Sequence, residues 1–179
     1  MKIETIPAQE TIRAERMVLR PLRRSDEGLL TLYAGDKRVA RNTRSIPHPL
    51  PPGAAAAFVD TALSADRTED IWAMDGSASG LGEVLGVIGL ERMSEDRSEV
   101  GYWVAPAFWN TGFATEALNA LLDANPQKVK TVFAEVFQTN TVSAHVLTNV
   151  GFAYIGDAEA YSVAQGRMVQ TWTYLKSLD

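Results

Sequence analysis

Glu99-Val100-Gly101-Tyr102-Trp103-Val104-Ala105-Pro106-Ala107-Phe108-Trp109-Asn110-Thr111-Gly112-Phe113-Ala114-Thr115-Glu116-Ala117 is the stretch on which the reading of this chain turns. Its start is rich in β-branched and aromatic residues and stops at Pro106, which predicts a strand. A short loop with one glycine, Gly112, then opens a helix at about Ala114. A strand feeding a loop whose backbone N–H groups begin a helix is a general device for holding phosphate. Gly112 lets a backbone approach an anion, Ala114 allows close packing at the helix start, and Thr115 adds a hydroxyl in the first turn. On Trp109 to Ala114 alone, a phosphate loop and a plain strand-to-helix connection fit equally well.

Outward from this stretch, the chain predicts one sheet with helices. Before it come a strand over 16–22, a helix from Ser25 or Asp26 (as N-cap) to near Gly35, and a stiff loop over 42–53 carrying Pro47, Pro49, Pro51 and Pro52. An alanine-rich helix over 54–63 follows, then a hairpin of strands at 71–74 and 83–93 joined by glycine-rich turn chemistry. Ser98 to Val104 is the central strand. Beyond the loop, Ala114, Ala117, Leu118, Leu121 and Leu122 keep the helical period until Asn125-Pro126 stops it. Val129 to Phe137 returns to strand character, and Asn140 to Val150 is helical, with Val142, Val146, Leu147 and Val150 on one face and Gly151 after its end. Strands at 152–156 and 167–175, joined by an exposed loop, close the chain. This order specifies an α/β or α+β sheet domain.

A length of 179 residues suits one domain, residues 1–179, and therefore one site. The net charge is −5 and no segment gathers Lys and Arg into a run, so nucleic acid is not an expected partner. Cysteine is absent, which excludes disulfides, thiol nucleophiles and thiolate metal sites. His48 and His145 lie far apart, so no metal centre is expected either. Met1 to Glu15 lacks the basic start and apolar core of a signal peptide, and no apolar run approaches the roughly 18 residues of a membrane span. The expectation is a cytoplasmic protein without a membrane partner.

Asn140-Thr141-Val142-Ser143 is the second informative segment, set at a helix start just after a strand. Alone, Asn140 reads as a helix N-cap and Ser143 as a small first-turn residue. Taken in order with Glu15-Arg16-Met17-Val18-Leu19-Arg20-Pro21-Leu22, Gly86-Val87-Ile88-Gly89-Leu90, Glu99 to Val104, Gly112 to Ala117 and Gly151-Phe152, it resembles the GNAT superfamily of acetyl-coenzyme A-dependent N-acetyltransferases. Within it, the likeness is to the branch that includes the bacterial ribosomal-protein N-terminal acetyltransferases. The resemblance covers nearly the whole chain.

That resemblance implies a GNAT-type fold, with a single mixed sheet of about six to seven strands, flanking helices, and a splay between two central parallel strands, here Ser98 to Val104 and Thr131 to Phe137. Acetyl-CoA (coenzyme A) would be held by Tyr102, Trp103, Val104, Trp109, Asn110, Thr111, Gly112, Phe113, Ala114, Thr115, Asn140 and Ser143. The pantetheine would lie in the splay, the Val104 N–H would face the thioester oxygen, and the pyrophosphate would sit on the loop. Direct attack by an amine needs a base and a donor for the departing thiolate. Glu99 is the implied base, with Glu91 and Glu135 as rivals. Leu147 stands where many members have a tyrosine, so Ser143 with Asn140 is the implied donor, solvent being the alternative.

Three departures from the family pattern matter. Trp109 and Asn110 replace a Gln or Arg and a Gly, and the segment 124–130 is shorter. The acceptor, a small-molecule amine or a protein N-terminus, would meet the loop 42–52, the second helix and the loop 159–167, with His48, Trp72, Trp103, Tyr161 and Arg44 as candidate lining and His145 as an ordinary helix residue. The acidic balance favours a cationic amine. A homodimer through the sheet edge or the helices is compatible with this plan. A non-catalytic acyl-CoA-binding or sensing domain is the other reading; a dinucleotide oxidoreductase fails for want of a Gly-x-Gly-x-x-Gly loop.

Overall fold

A computed structural model describes residues 9–178; Met1 to Ala8, which hold half of the stretch read for a signal peptide, and Asp179 lie outside the described residues. Eight strands form one sheet: β1 (Ile12–Arg13), β2 (Val18–Pro21), β3 (Glu69–Asp75), β4 (Gly86–Arg92), β5 (Arg97–Val104), β6 (Thr131–Phe137), β7 (Ala153–Ser162) and β8 (Arg167–Ser177). Their order is β1-β2-β3-β4-β5-β6-β8-β7, and only β5 and β6 run parallel. The strand beyond the expected six to seven is β1, whose two residues pair with Leu19 and Val18 and are too few to show a period.

Side-chain alternation along the strands divides the apolar residues into two cores. Ile71 and Ala73 of β3 join Leu30, Ala55 and Val59 from α1 (Glu27–Ala34) and α3 (Ala54–Leu63). Trp72 and Met74 point the other way, to Leu118, Leu121 and Leu147 from α4 (Phe113–Ala124) and α5 (Thr141–Val150). Helices thus cover both faces of the central strands. Among the described residues no helix is long and apolar enough to cross a membrane.

Several elements depart from the sequence reading. Asp26 does not cap α1: its buried carboxylate accepts the Arg23 backbone N–H at 2.9 Å and two guanidinium bonds from Arg20 at 2.8 and 2.9 Å. Arg20, which also donates to Asp75 at 2.7 Å, is the stronger claim on that carboxylate. A four-residue helix, α2 (Lys37–Ala40), precedes the proline-rich loop, its start capped by Asp36. Helix α4 begins one residue early because Phe113 is buried. In α5 the buried face is Ala144, Leu147 and Val150, and Val142 is 64% exposed. The loop expected over 159–167 shrinks to a turn at 163–166, because β7 pairs with β8 as far as Ser162 and Arg167.

Between β5 and β6 the ladder holds for three pairs only, Arg97 with Thr131, Ser98 with Val132 and Glu99 with Phe133. Each strand is nevertheless paired along its outer side, β5 with β4 up to Val104 and Gly86, and β6 with β8 up to Phe137 and Thr171. The two therefore diverge, and a slot opens beyond Glu99. Its root is tied by the buried Gln127, whose amide oxygen accepts from Ser98 Oγ at 2.5 Å and whose Nε2 donates to the Leu90 carbonyl at 2.8 Å and to Asp70 at 3.0 Å. The short segment after Asn125-Pro126 delivers that side chain.

At the open end, Gly86 lets β4 approach β5 so closely that a Cβ there would strike the Trp103 carbonyl and come within 2.9 Å of Val104 Cα. Gly86→Ala must push Trp103 and Val104 aside. It is expected to destabilise the protein by about 1–3 kcal/mol, read from the urea midpoint at unchanged m-value.

Candidate active site

Two cavities meet in the slot. One, of about 550 Å³, opens on the α1–α3 face and is floored by strand residues that include Glu69, Glu91, Glu99 and Glu135. The other, of about 390 Å³, lies along the loop before α4 and the start of α5. Tyr102, Trp103, Asn140 and Ser143, together with Asn42, line both. The structure thus gathers Tyr102, Trp103, Val104, Trp109, Asn110, Thr111, Gly112, Phe113, Ala114, Thr115, Asn140 and Ser143 around the second cavity, and sets Glu99 in the first.

The loop before α4 is built around two left-handed residues, Asn110 at φ +60° and Gly112 at φ +80°. Asparagine tolerates this region better than most residues, so Asn110 takes its turn without a glycine. Among the described residues no side chain caps α4, which leaves its first N–H groups open at the cavity. Arg16 holds the loop from outside. Its backbone N–H and Nε donate to Glu116 at 2.8 and 2.7 Å, its Nη1 donates to the Thr111 carbonyl at 2.9 Å, and its guanidinium lies 4.3 Å from the Phe113 ring centre. The clasp also neutralises the one carboxylate in the first turn of α4.

Backbone polarity in the slot follows from strand register. The Ala105 N–H donates to Leu85 across β4 at 2.9 Å, so by alternation the Val104 N–H points the opposite way, into the slot. The Val104 carbonyl on that side is taken by the Trp109 indole N–H at 2.7 Å. At the start of α5, the Asn140 side chain accepts from the Ser143 N–H at 3.3 Å and donates to Ser143 Oγ at 3.1 Å. With its acceptor side occupied, the Ser143 hydroxyl is set to donate. Leu147 is wholly buried and offers no polar atom. The Tyr102 hydroxyl reaches the Ser143 carbonyl at 3.4 Å, and burial pushes its pKa up to about 12.

The first cavity carries a row of carboxylates. Glu69, Glu91 and Glu99 lie directly opposite one another on β3, β4 and β5, and Glu135 follows two residues after Phe133, the partner of Glu99. Arg44 spans the slot, 2.7 Å from Glu99 and 3.5 Å from Glu135. Burial, and then Glu91, push the Glu69 carboxyl up; burial also raises Glu135, against the pull of Arg44. Among the described residues no His, Cys, Asp and Glu group is arranged to hold a metal. The β7–β8 turn steadies the Arg44 loop through Val163 N–H to the Arg44 carbonyl (3.0 Å) and Gln165 Nε2 to the Arg41 carbonyl (3.1 Å).

Arg44 and Trp103 line the first cavity as expected; His48, Trp72 and Tyr161 do not. Trp72 is buried in the core with its indole N–H on the Glu10 carbonyl, and Tyr161 is exposed on β7. Residues 159–162 are strand, so that region meets the site through the backbone ties at its turn. His145 lines the second cavity. Glu69, Arg16 and Arg38 escaped the sequence reading, since only register and long-range packing bring them to the site.

A family model described as an acetyltransferase (GNAT) domain matches residues 16–153. The chain is 26% identical over 178 residues to the uncharacterized N-acetyltransferase p20 of Bacillus licheniformis, covering 92% of this chain and 94% of that one. Among solved structures, RimL, a ribosomal L7/L12 alpha-N-protein acetyltransferase in complex with coenzyme A, superposes with a TM-score of 0.80 at 16% identity, over 94% of this chain and 98% of its own. The spermidine N-acetyltransferase of Vibrio cholerae, in complex with CoA and spermine, gives 0.76 at 16% identity, over 91% and 96%. At these identities the structures share the fold.

The raised carboxyls set a sign for pH dependence. A carboxyl whose pKa rises on folding favours the native state below the ordinary carboxylate range, and that contribution is lost as pH rises through its folded value. Glu69→Gln removes the half-buried carboxyl facing Glu91. It is expected to raise stability at about pH 7.5 by about 0.2–1 kcal/mol, with the gain vanishing near pH 4, below the raised pKa of Glu69, where that carboxyl is already neutral. Thermal unfolding at the two pH values measures it.

Proposed function

The chain belongs to the acetyltransferase (GNAT) family, and on that footing we propose that residues 1–179 act as one domain that transfers acetyl from acetyl-CoA to a primary amine by direct attack. The observation that carries this reading is the forked β5–β6 pair, whose open inner edges run from a carboxylate-floored cavity to an uncapped helix start. Unpaired strand edges suit an extended amide arm, and the loop N–H groups suit phosphates, so the residues present fit coenzyme A. The same reading sets the reaction in the cytoplasm, where acetyl-CoA is available.

The cofactor supplies the acetyl thioester; the remaining steps fall to this chain. The acceptor enters the first cavity as an ammonium, attracted by four carboxylates against one arginine. A small-molecule amine and a protein N-terminus both meet that requirement, and the acidic floor favours a cationic acceptor. Glu99 or Glu135, bridged by Arg44, takes the ammonium proton, and Glu135 is the one whose carboxyl burial raises above its ordinary value. The Val104 N–H stabilises negative charge on the thioester oxygen. Ser143, oriented by Asn140, gives a proton to the departing thiolate and recovers one from solvent, which takes up the second proton that the amine nitrogen loses on becoming an amide. That Glu99 and Ser143 both line the slot supports turnover over acyl-CoA binding alone.

A turnover screen over amines and peptides, followed by free thiol release, tests this reading. Release with at least one cationic amine is expected; tight acetyl-CoA binding with no turnover on any acceptor class would leave only a binding module. Glu135→Gln is expected to lower kcat/KM by about 10²-fold and to remove the acidic limb of its pH profile. Ser143→Ala should reduce kcat by about 10-fold or more while acetyl-CoA affinity stays within about twofold. An unchanged rate takes Ser143 out of the mechanism.

A further inference from the structure

Resting on the coenzyme A reading of the second cavity, we propose that Arg38 of α2 binds the diphosphate of the cofactor, working from a platform made by Trp109. Trp109 is pinned by its indole N–H on the Val104 carbonyl, which fixes the ring plane at the mouth of the phosphate loop. The Arg38 guanidinium lies 5.7 Å from the ring centre and lines the same groove as Asn110, Thr111 and Gly112. Asp36 holds it from behind: its two carboxylate oxygens accept from Nε at 3.1 Å and Nη2 at 2.8 Å, and the first also accepts the Arg38 backbone N–H. Among the described residues Nη1 has no partner, so one edge of a pre-positioned fork is left for a ligand.

Charge balance points the same way. The chain carries −5 overall, and among the described residues Arg38 is the one Arg or Lys that lines this groove. A diphosphate placed on the α4 N–H groups meets partial charges from the helix but no other permanent cation from the lining. An arginine placed over an indole can give bidentate hydrogen bonds that a lysine cannot reproduce. The hydrogen bond and charge of Asp36 raise the guanidinium pKa above its ordinary value. The class of ligand is thus an organic diphosphate, read through a guanidinium set over tryptophan.

Titration calorimetry of the full chain with coenzyme A and with 3′-dephospho-coenzyme A, at low and high salt, tests the assignment. Arg38→Gln is expected to raise Kd by about 10-fold for both ligands and to make binding less dependent on salt. Arg38→Lys should recover only part of the loss, and both variants should keep the wild-type unfolding temperature, Arg38 being exposed on a surface helix. A loss seen with coenzyme A alone would move the contact to the 3′-phosphate and overturn the diphosphate assignment. Wild-type-like affinity of Arg38→Gln for both ligands overturns the proposal while leaving the acetyltransferase reading intact. Failure of the wild-type chain to bind either ligand overturns both.

Discussion

The parallel pairing of β5 with β6 ends after three residues, and the rest of the site depends on that early stop. Backbone N–H and C=O groups must find partners, and leaving one buried and unpaired costs about 1–3 kcal/mol. The inner edges of β5 beyond Glu99 and of β6 beyond Phe133 therefore cannot be buried against apolar side chains. They can be wetted, or they can be met by a ligand offering amides of its own. Nothing local to the two strands could keep them apart; the full ladders to β4 and β8 do so from outside, while Gln127 fastens the root. The slot is a property of the whole sheet.

Its two mouths have opposite electrostatic character. On the α1–α3 face, Glu69, Glu91 and Glu99 stand opposite one another, an arrangement that weakens a sheet because like charges face across strands. Arg44, reaching in from a flanking loop, offsets part of that repulsion at Glu99 and Glu135. On the other side, an uncapped helix start and Arg38 gather positive potential in a chain that is acidic overall. Cation-seeking and anion-seeking cavities joined at Tyr102, Trp103, Asn140 and Ser143 are what a reaction between an ammonium and a phosphate-bearing thioester requires. The cost to stability of the carboxylate row falls on the floor of the first cavity.

Most of this was legible where local chemistry decides the structure. The strand ending at Pro106, the helix opened by Gly112 and the helix capped by Asn140 follow from proline geometry, a positive φ and side-chain capping, each a property of a few consecutive residues. What was missed depends on register or on distance. Glu69 reaches the site only because it pairs with Glu91 on the next strand, and Arg16 meets Glu116 across 100 residues. Trp72 misled because its aromatic ring suits a binding surface as well as a core. Strand alternation turns it towards α4 and α5, and Ile71 takes the other face. The pairing of β7 with β8 out to Ser162 is invisible in a segment that is exposed almost throughout.

Trp109 and Asn110 are the pair that departs furthest from the expected loop, and together they sharpen its chemistry. Asn110 reaches φ +60° without a glycine, which keeps the turn that aims the α4 N–H groups outward. Trp109 does something a smaller polar residue could not. Its indole N–H occupies the Val104 carbonyl, the acceptor that would otherwise stand beside the slot-facing Val104 N–H. An N–H and a C=O side by side present a mixed field, attractive and repulsive to the same oxygen. With the carbonyl engaged, the field at that point comes mainly from the donor, and an oxygen gaining negative charge meets stabilisation with little opposing repulsion. The replacement that looked least favourable for phosphate binding thus shapes the slot at Val104, five residues away along the chain.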